Sequence, residues 1–219
     1  MSLFSSFIRI EITSEMQGEA RYHALRRTKN IKRQFIPRHA PLSALESNYI
    51  GSLGEVTVLN LVHESISLTD NYAKHKVDDG DIRIQDSVFD VKSEALPYQS
   101  YKSLYEGSIL AYETYGCRVY TARHSHHLQK YSGGIIFVAF PIPDDRKKDK
   151  NENRLREQIV EFCNPGLILG YAPLSAFEKK IPQHFAPADP ESRKRHRYNS
   201  ENFVFHHSEL QPLSLLLKE

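Results

Sequence analysis

Two aspartates and a lysine open the reading, in the stretch "GDIRIQDSVFDVKS" at residues 80–93. Val88 to Lys92 has the composition of a strand. Its side chains alternate, so Asp90 and Lys92 project from one side while Phe89 and Val91 pack on the other. Asp81 opens the partner strand and could reach the same edge. Burying charge is costly unless it is paired or holds a cation. Converging carboxylates also raise one another's pKa until a cation joins them. Hard divalent ions take oxygen ligands, and Mg²⁺ keeps several waters and adds substrate phosphate. The chemistry these residues suggest is therefore a carboxylate-bound Mg²⁺ with a lysine beside it. Glu55, following Gly54 on a predicted helix, is a third acid within reach of the same spot.

Those residues need elements to hold them. "GEARYHALRRTKNIKRQF", residues 18–35, reads as a helix ended by Pro37. A second helix is predicted through "ALESNYIGSLGEVTVLNLVHE", with Ser43 as N-cap and Glu46 completing a capping box. Leu45, Tyr49, Leu53, Val56, Leu59 and Val62 give it a core-facing stripe. Gly51 and Gly54 cost helix stability, which predicts close packing against a neighbour. Alternation over 81–92 predicts a hairpin turning at "QDS". Residues 97–115 are Tyr-rich and expected to be helical in part. "GGIIFVAFPIP" (133–143) is expected as a buried strand, and "DDRKKDKNENRLRE" as a loop entering a helix. "GLILGYAPLSAFEKKI" reads as strand then short helix, and "NFVFHHSELQPLSLLL" as strand, turn and helix. The fold class expected is α/β, a central mixed β-sheet flanked by helices.

Composition sets the outer bounds. The chain has 219 residues, 40% hydrophobic and 26% charged, with a net charge of +2, which suits one domain with a full core. No apolar run is long enough to span a bilayer, and the first residues do not read as a signal peptide. Cys117 and Cys163 lack CxxC spacing, so a reduced, cytoplasmic protein is expected. Bulk charge does not announce a nucleic-acid partner, but its distribution is uneven. Residues 1–40 hold eight Lys or Arg against three Glu, and "RKRHR" at 193–197 is a second basic cluster. Arg26, Arg27, Lys29, Lys32, Arg33, Arg193, Lys194, Arg195 and Arg197 could meet phosphates. Solvated faces would look the same. The division expected is a basic helical arm over 1–40 and a main domain over 41–219.

The ordered set resembles the PD-(D/E)xK nuclease superfamily: a helical Glu after Gly, an Asp entering a hairpin, then Asp-x-Lys on the return strand. Glu55 stands in "YIGSLGE", Asp81 in "DDGDI", and Asp90 with Lys92 in "FDVKS". The resemblance covers roughly residues 42–178. It implies a restriction-endonuclease-like core and a Mg²⁺-dependent nuclease (Mn²⁺ substituting) cutting phosphodiester bonds, in DNA rather than RNA. It further implies Asp81 and Asp90 as metal ligands, Glu55 at a second ion or a metal-bound water, and Lys92 beside the scissile phosphate. Ser93 would support the site. Gly80 stands where that superfamily often has proline, and Asp79 is the alternative to Asp81. A nucleic-acid binder of the same fold without catalysis, and a ribonuclease, are the rival readings; double-strand cutting would suggest a homodimer. The cluster His124, His126 and His127 reads as a polar loop, since no closed ligand set accompanies it. Tyr98, Tyr101, Tyr105 and Tyr112 share helical spacing and read as packing, with stacking on unpaired bases the alternative.

Overall fold

The computed structural model describes residues 7–30, 42–62, 81–108, 116–121, 128–144, 154–185 and 197–217. Thirteen elements carry the fold. They are β1 (Ile8–Ile10), α1 (Ser14–Asn30), α2 (Ala44–Val62), β2 (Ile82–Ile84), β3 (Ser87–Pro97), α3 (Tyr98–Tyr105) and β4 (Gly116–Tyr120). β5 (Gly134–Ile142), α4 (Glu157–Phe162), β6 (Gly166–Ala172), α5 (Leu174–Glu178), β7 (Gln183–Phe185) and β8 (Arg197–His206) follow. The protein is mixed α/β. One five-stranded sheet runs β1-β6-β5-β3-β2, and a three-stranded sheet runs β4-β8-β7.

The expected hairpin is present. β2 and β3 pair antiparallel, Ile82 against Phe89 and Ile84 against Ser87, around Gln85 and Asp86. Gln85 takes φ 53°, as a two-residue hairpin turn demands. β3 then pairs in parallel with β5, Asp90 beside Ile135 and Lys92 beside Phe137. A parallel pair needs a crossover, and α3 and β4 lie between the two strands in the chain. β5 is buried along its whole length because both its faces are covered. Ile136, Val138 and Phe140 join the apolar cluster under α1 and α2. Ile135, Phe137 and Ala139 join a second cluster with Tyr101 and Leu104 of α3 and Phe205 of β8. Gly133 and Gly134 start β5 for steric reasons. A Cβ on Gly133 would lie 2.2 Å from the Phe89 ring, and one on Gly134 (φ +105°) 2.0 Å from the Ala172 carbonyl oxygen.

Residues 7–30, within the stretch read as a basic helical arm, pack against the rest of the core. β1 is an edge strand paired with β6, and Ile12, Met16, Ala20 and Ala24 lie in the α1–α2 cluster. α1 starts earlier than the sequence suggested because Thr13 Oγ1 accepts the Met16 N–H at 3.3 Å, an N-cap. The two sheet edges carry the same tripeptide, Ile-Arg-Ile. The arginine of each faces outward, which discourages edge pairing.

α2 begins as expected. Ser43 Oγ accepts the Glu46 N–H at 3.1 Å, and Glu46 Oε2 accepts the Ser43 N–H at 2.8 Å, closing the capping box. Arg156 adds a fork to the same carboxylate, Nε at 2.6 Å and Nη2 at 3.1 Å. Gly54 is where α2 meets β3: a Cβ there would lie 2.0 Å from Ser93 Oγ and 3.6 Å from Val91 Cγ1. Overpacking of this kind costs about 1–3 kcal/mol, against the roughly 1 kcal/mol of helix propensity that alanine adds. Gly54→Ala is therefore expected to lower unfolding stability by about 1 kcal/mol in urea titrations. Ser93→Ala should restore most of that loss in the double variant, a coupling that additive effects would not give. Among the described residues, no helix is long and apolar enough to cross a membrane.

Candidate metal and phosphate site

Strand alternation and pairing assign each side of β3. Phe89 and Val91 belong to the cluster beneath α2, and Gly54 abuts Val91 and Ser93. Asp90 and Lys92 project from the other side, in register with Ile135 and Phe137. Asp90 is 1% exposed. Lys92 Nζ lies 2.5 Å from Asp90 Oδ2 as an ion pair, yet neither Asp90 oxygen accepts a hydrogen bond of acceptable geometry. Distance alone makes that pair, so Oδ1 in particular has no donor among the described residues. A buried carboxylate oxygen in that condition is costly, and a cation is the economical remedy.

Asp81 is also buried and precedes the Ile82–Phe89 pair, so it stands at the same end of the hairpin as Asp90. Its Oδ2 accepts the Val91 N–H at 2.7 Å, and its own N–H donates to the Phe89 carbonyl oxygen at 2.9 Å. The carboxylate is thus fixed against the backbone of the Asp-x-Lys strand. Asp79 and Gly80 lie outside the described residues.

Glu55 is placed differently. α2 packs on the Val91 and Ser93 side, and the buried Glu55 carboxylate accepts a hydrogen bond from Arg27 Nη2 of α1. Gly51 lies beside that guanidinium, and a Cβ there would make ordinary van der Waals contact at 3.5 Å from Arg27 Nη1, so close packing requires a glycine at Gly54 but not at Gly51. The structure therefore brings Asp81, Asp90 and Lys92 to one end of the hairpin, and joins Glu55 to Arg27 between the helices. Ser93 faces α2, with Oγ 3.5 Å from the Gly51 carbonyl oxygen. Among the described residues, no three His, Cys, Asp or Glu side chains gather as a metal-holding group. The donor set that fits a hard cation is two carboxylates, with water and phosphate completing it, as suits Mg²⁺.

The remaining candidates separate clearly. Arg26 donates to Tyr22 Oη at 3.0 Å on the exposed side of α1, and Lys29 and Arg197 are exposed. Arg27 is committed to Glu55. Lys32, Arg33, Arg193, Lys194, Arg195, Tyr112 and the His124, His126, His127 cluster lie outside the described residues. Of the tyrosines, Tyr101 is buried, donates to the Pro165 carbonyl oxygen and stacks on Tyr105. Tyr98 is exposed, edge-on to Phe162. Both thiols are buried, and burial pushes Cys163 up to about 12 and Cys117 well above its usual value, with the Glu94 charge adding to the latter. Neither is poised as a nucleophile.

Besides the Arg27–Glu55 bond, two contacts were not foreseen. Glu94, on the same side of β3 as Lys92, accepts the Arg118 N–H of β4 at 3.1 Å. The Glu46–Arg156 pair joins the start of α2 to the approach of α4. Spacing along β3 does signal Glu94, two residues beyond Lys92, but nothing local points to Arg118 or Arg156. Comparisons with protein-family models, with curated proteins and with solved structures return no match to this chain.

Proposed function

We propose that the chain is a metal-dependent nuclease that hydrolyses phosphodiester bonds, with DNA the expected substrate. One observation carries the reading: the buried Asp90 carboxylate, its Oδ1 without a hydrogen-bond donor among the described residues, beside Lys92 and at the hairpin end that holds Asp81. The order of elements supports it: a helix bearing Glu55, then the hairpin, then β5 parallel to β3, as in a restriction-endonuclease-like core. Asp81 and Asp90 are the residues that would hold Mg²⁺, or Mn²⁺ in its place. A bound divalent ion would supply Lewis-acid stabilisation of phosphate charge and an acidified water.

The chain's own groups do the rest. Asp81, tethered to the Val91 N–H, keeps its carboxylate at the mouth of the hairpin. Lys92 keeps a compact positive charge beside Asp90 and can transfer its attraction to a phosphate oxygen as charge builds there. Glu55 contributes to such a site only by exchanging its bond with Arg27. That engagement, with the absence of a three-ligand group among the described residues, favours one rival: a nucleic-acid-binding protein of this fold that does not cut.

Incubation of the purified chain with plasmid, single-stranded DNA and RNA separates these readings. Cleavage is expected with Mg²⁺ or Mn²⁺, abolished by EDTA and by Lys92→Ala. Cleavage that persists in EDTA would sink the metal reading. Binding without cleavage under every metal condition would establish the non-cutting rival, and cleavage confined to RNA would establish a ribonuclease.

A further inference from the structure

We infer that the outward side of α1 is a self-association surface, on which a second copy of this chain lays its own α1 antiparallel. Glu15, Gly18, Tyr22, Leu25 and Lys29 are all exposed on this helix. They recur at alternating steps of three and four residues, the spacing of a helix-pairing seam. The opposite side of α1 is already used, with Met16, Ala20 and Ala24 in the core. Tyr22 is 54% exposed and Leu25 44%, neighbours along the seam. The Tyr22 ring is held ready: Arg26 donates to its Oη at 3.0 Å, and the guanidinium lies 5.4 Å from the ring centroid. A fixed, exposed aromatic side chain is the kind of anchor on which interfaces depend.

Gly18 has no steric use among the described residues. A glycine inside a helix costs stability relative to alanine. Gly54, Gly133, Gly134 and Gly166 each have a neighbour that a Cβ would strike, whereas a Cβ on Gly18 would meet nothing within 4 Å. A bare position on an exposed helix lets another helix come close. Charge then selects the occupant. The first turn of α1 carries Glu15 and the last turn carries Arg27 and Lys29. A parallel copy would set like charge against like at both ends, while an antiparallel copy sets Glu15 near Lys29 twice. A two-fold axis beside Tyr22, near the middle of the helix, also brings each Tyr22 ring toward Gly18 of the second copy. Exposed ion pairs add little affinity, so the charges set direction and the Tyr22–Leu25 patch supplies the hold. The inference goes beyond the nuclease reading and does not depend on what the hairpin binds.

Sedimentation equilibrium of the purified chain, from about 1 μM to about 1 mM, reads the association directly. The mass is expected to rise from one chain toward two across that range. Tyr22→Glu should weaken association about tenfold or more, while dilute protein melts within about 2 °C of the unsubstituted chain. Gly18→Ala should act in two directions: a higher melting temperature for the dilute monomer, and association about fivefold weaker. Lys29→Glu should weaken association, because each end then joins like charges, and Glu15→Lys in the same chain should restore it. A one-chain mass at every concentration would overturn the inference. So would a dimer indifferent to Tyr22→Glu and Gly18→Ala, whose contact must lie elsewhere. A dimer that Lys29→Glu leaves unchanged, or that the charge swap fails to restore, would overturn the antiparallel arrangement. If the chain stays monomeric and a labelled DNA oligonucleotide binds it in a Tyr22-dependent way by fluorescence anisotropy, this side of α1 belongs to nucleic acid and the inference falls.

Discussion

Asp90→Asn is expected to reduce Mg²⁺-dependent cleavage by about a thousandfold while the protein melts at the same or a higher temperature. The first half follows from losing one of two carboxylates that would bind the ion, a change of several kcal/mol in transition-state stabilisation, with each ~1.4 kcal/mol a factor of ten. The second half follows from burial. Asp90 is 1% exposed and its Oδ1 has no hydrogen-bond donor among the described residues, where Lys92 supplies the counter-charge beside it. Asparagine keeps the shape and removes the charge, and Lys92, whose side chain is 28% exposed, can turn to water. A purely structural ion pair would behave otherwise: breaking it would lower stability and leave any Mg²⁺ response intact. Thermal melts with and without Mg²⁺ distinguish the two. The ion should raise the melting temperature of the unsubstituted chain, by mass action on the folded state, and leave Asp90→Asn unmoved. Lys92→Ala should show a larger Mg²⁺ shift than the unsubstituted chain, because its buried carboxylate has lost its counter-charge.

Arg156→Ala is expected to be the most destabilising of the single substitutions considered, at about 3 kcal/mol in urea unfolding at neutral pH. Glu46 is fully buried at the first turn of α2 and takes two nitrogens of the Arg156 fork. Removing the arginine side chain leaves a buried carboxylate with the Ser43 N–H at 2.8 Å and the residue-156 backbone N–H at 3.4 Å as donors but no counter-charge from the fork, and a stranded charge costs more than the pair contributed. The loss should propagate, since α2 carries Gly54 onto β3 and Glu55 onto Arg27. Glu46→Gln in the Arg156→Ala background should regain part of it, because the capping-box geometry survives without the charge. If both proteins unfold at the same urea concentration as the unsubstituted chain, the buried pair is energetically neutral and α2 is held by its apolar stripe alone.

How much of this was legible depended on range. The capping box, the hairpin, the β5 and β6 strands and the helix after β6 were all readable, because each is set by residues within a few positions of one another. Gly54 was readable as a close approach, but not as a contact with Ser93. β1, β4 and β7 were missed: they are three to five residues long, too short for alternation to declare itself, and they exist because a partner strand is present. The early start of α1 hung on Thr13 as a cap, a signal that was there to be read.

The candidate site divides along the same line. The sequence alone determined that Asp90 and Lys92 share a side of β3 and that Asp81 enters the same hairpin, because strand alternation and a two-residue turn leave no freedom in either. Only the tertiary structure decided that Glu55 sits between α1 and α2 against Arg27, that residues 7–30 belong to the core, and that Glu94 reaches Arg118 across two sheets. Those pairings join positions distant in sequence, and what selects them is the packing of whole faces, which no local pattern of residues encodes.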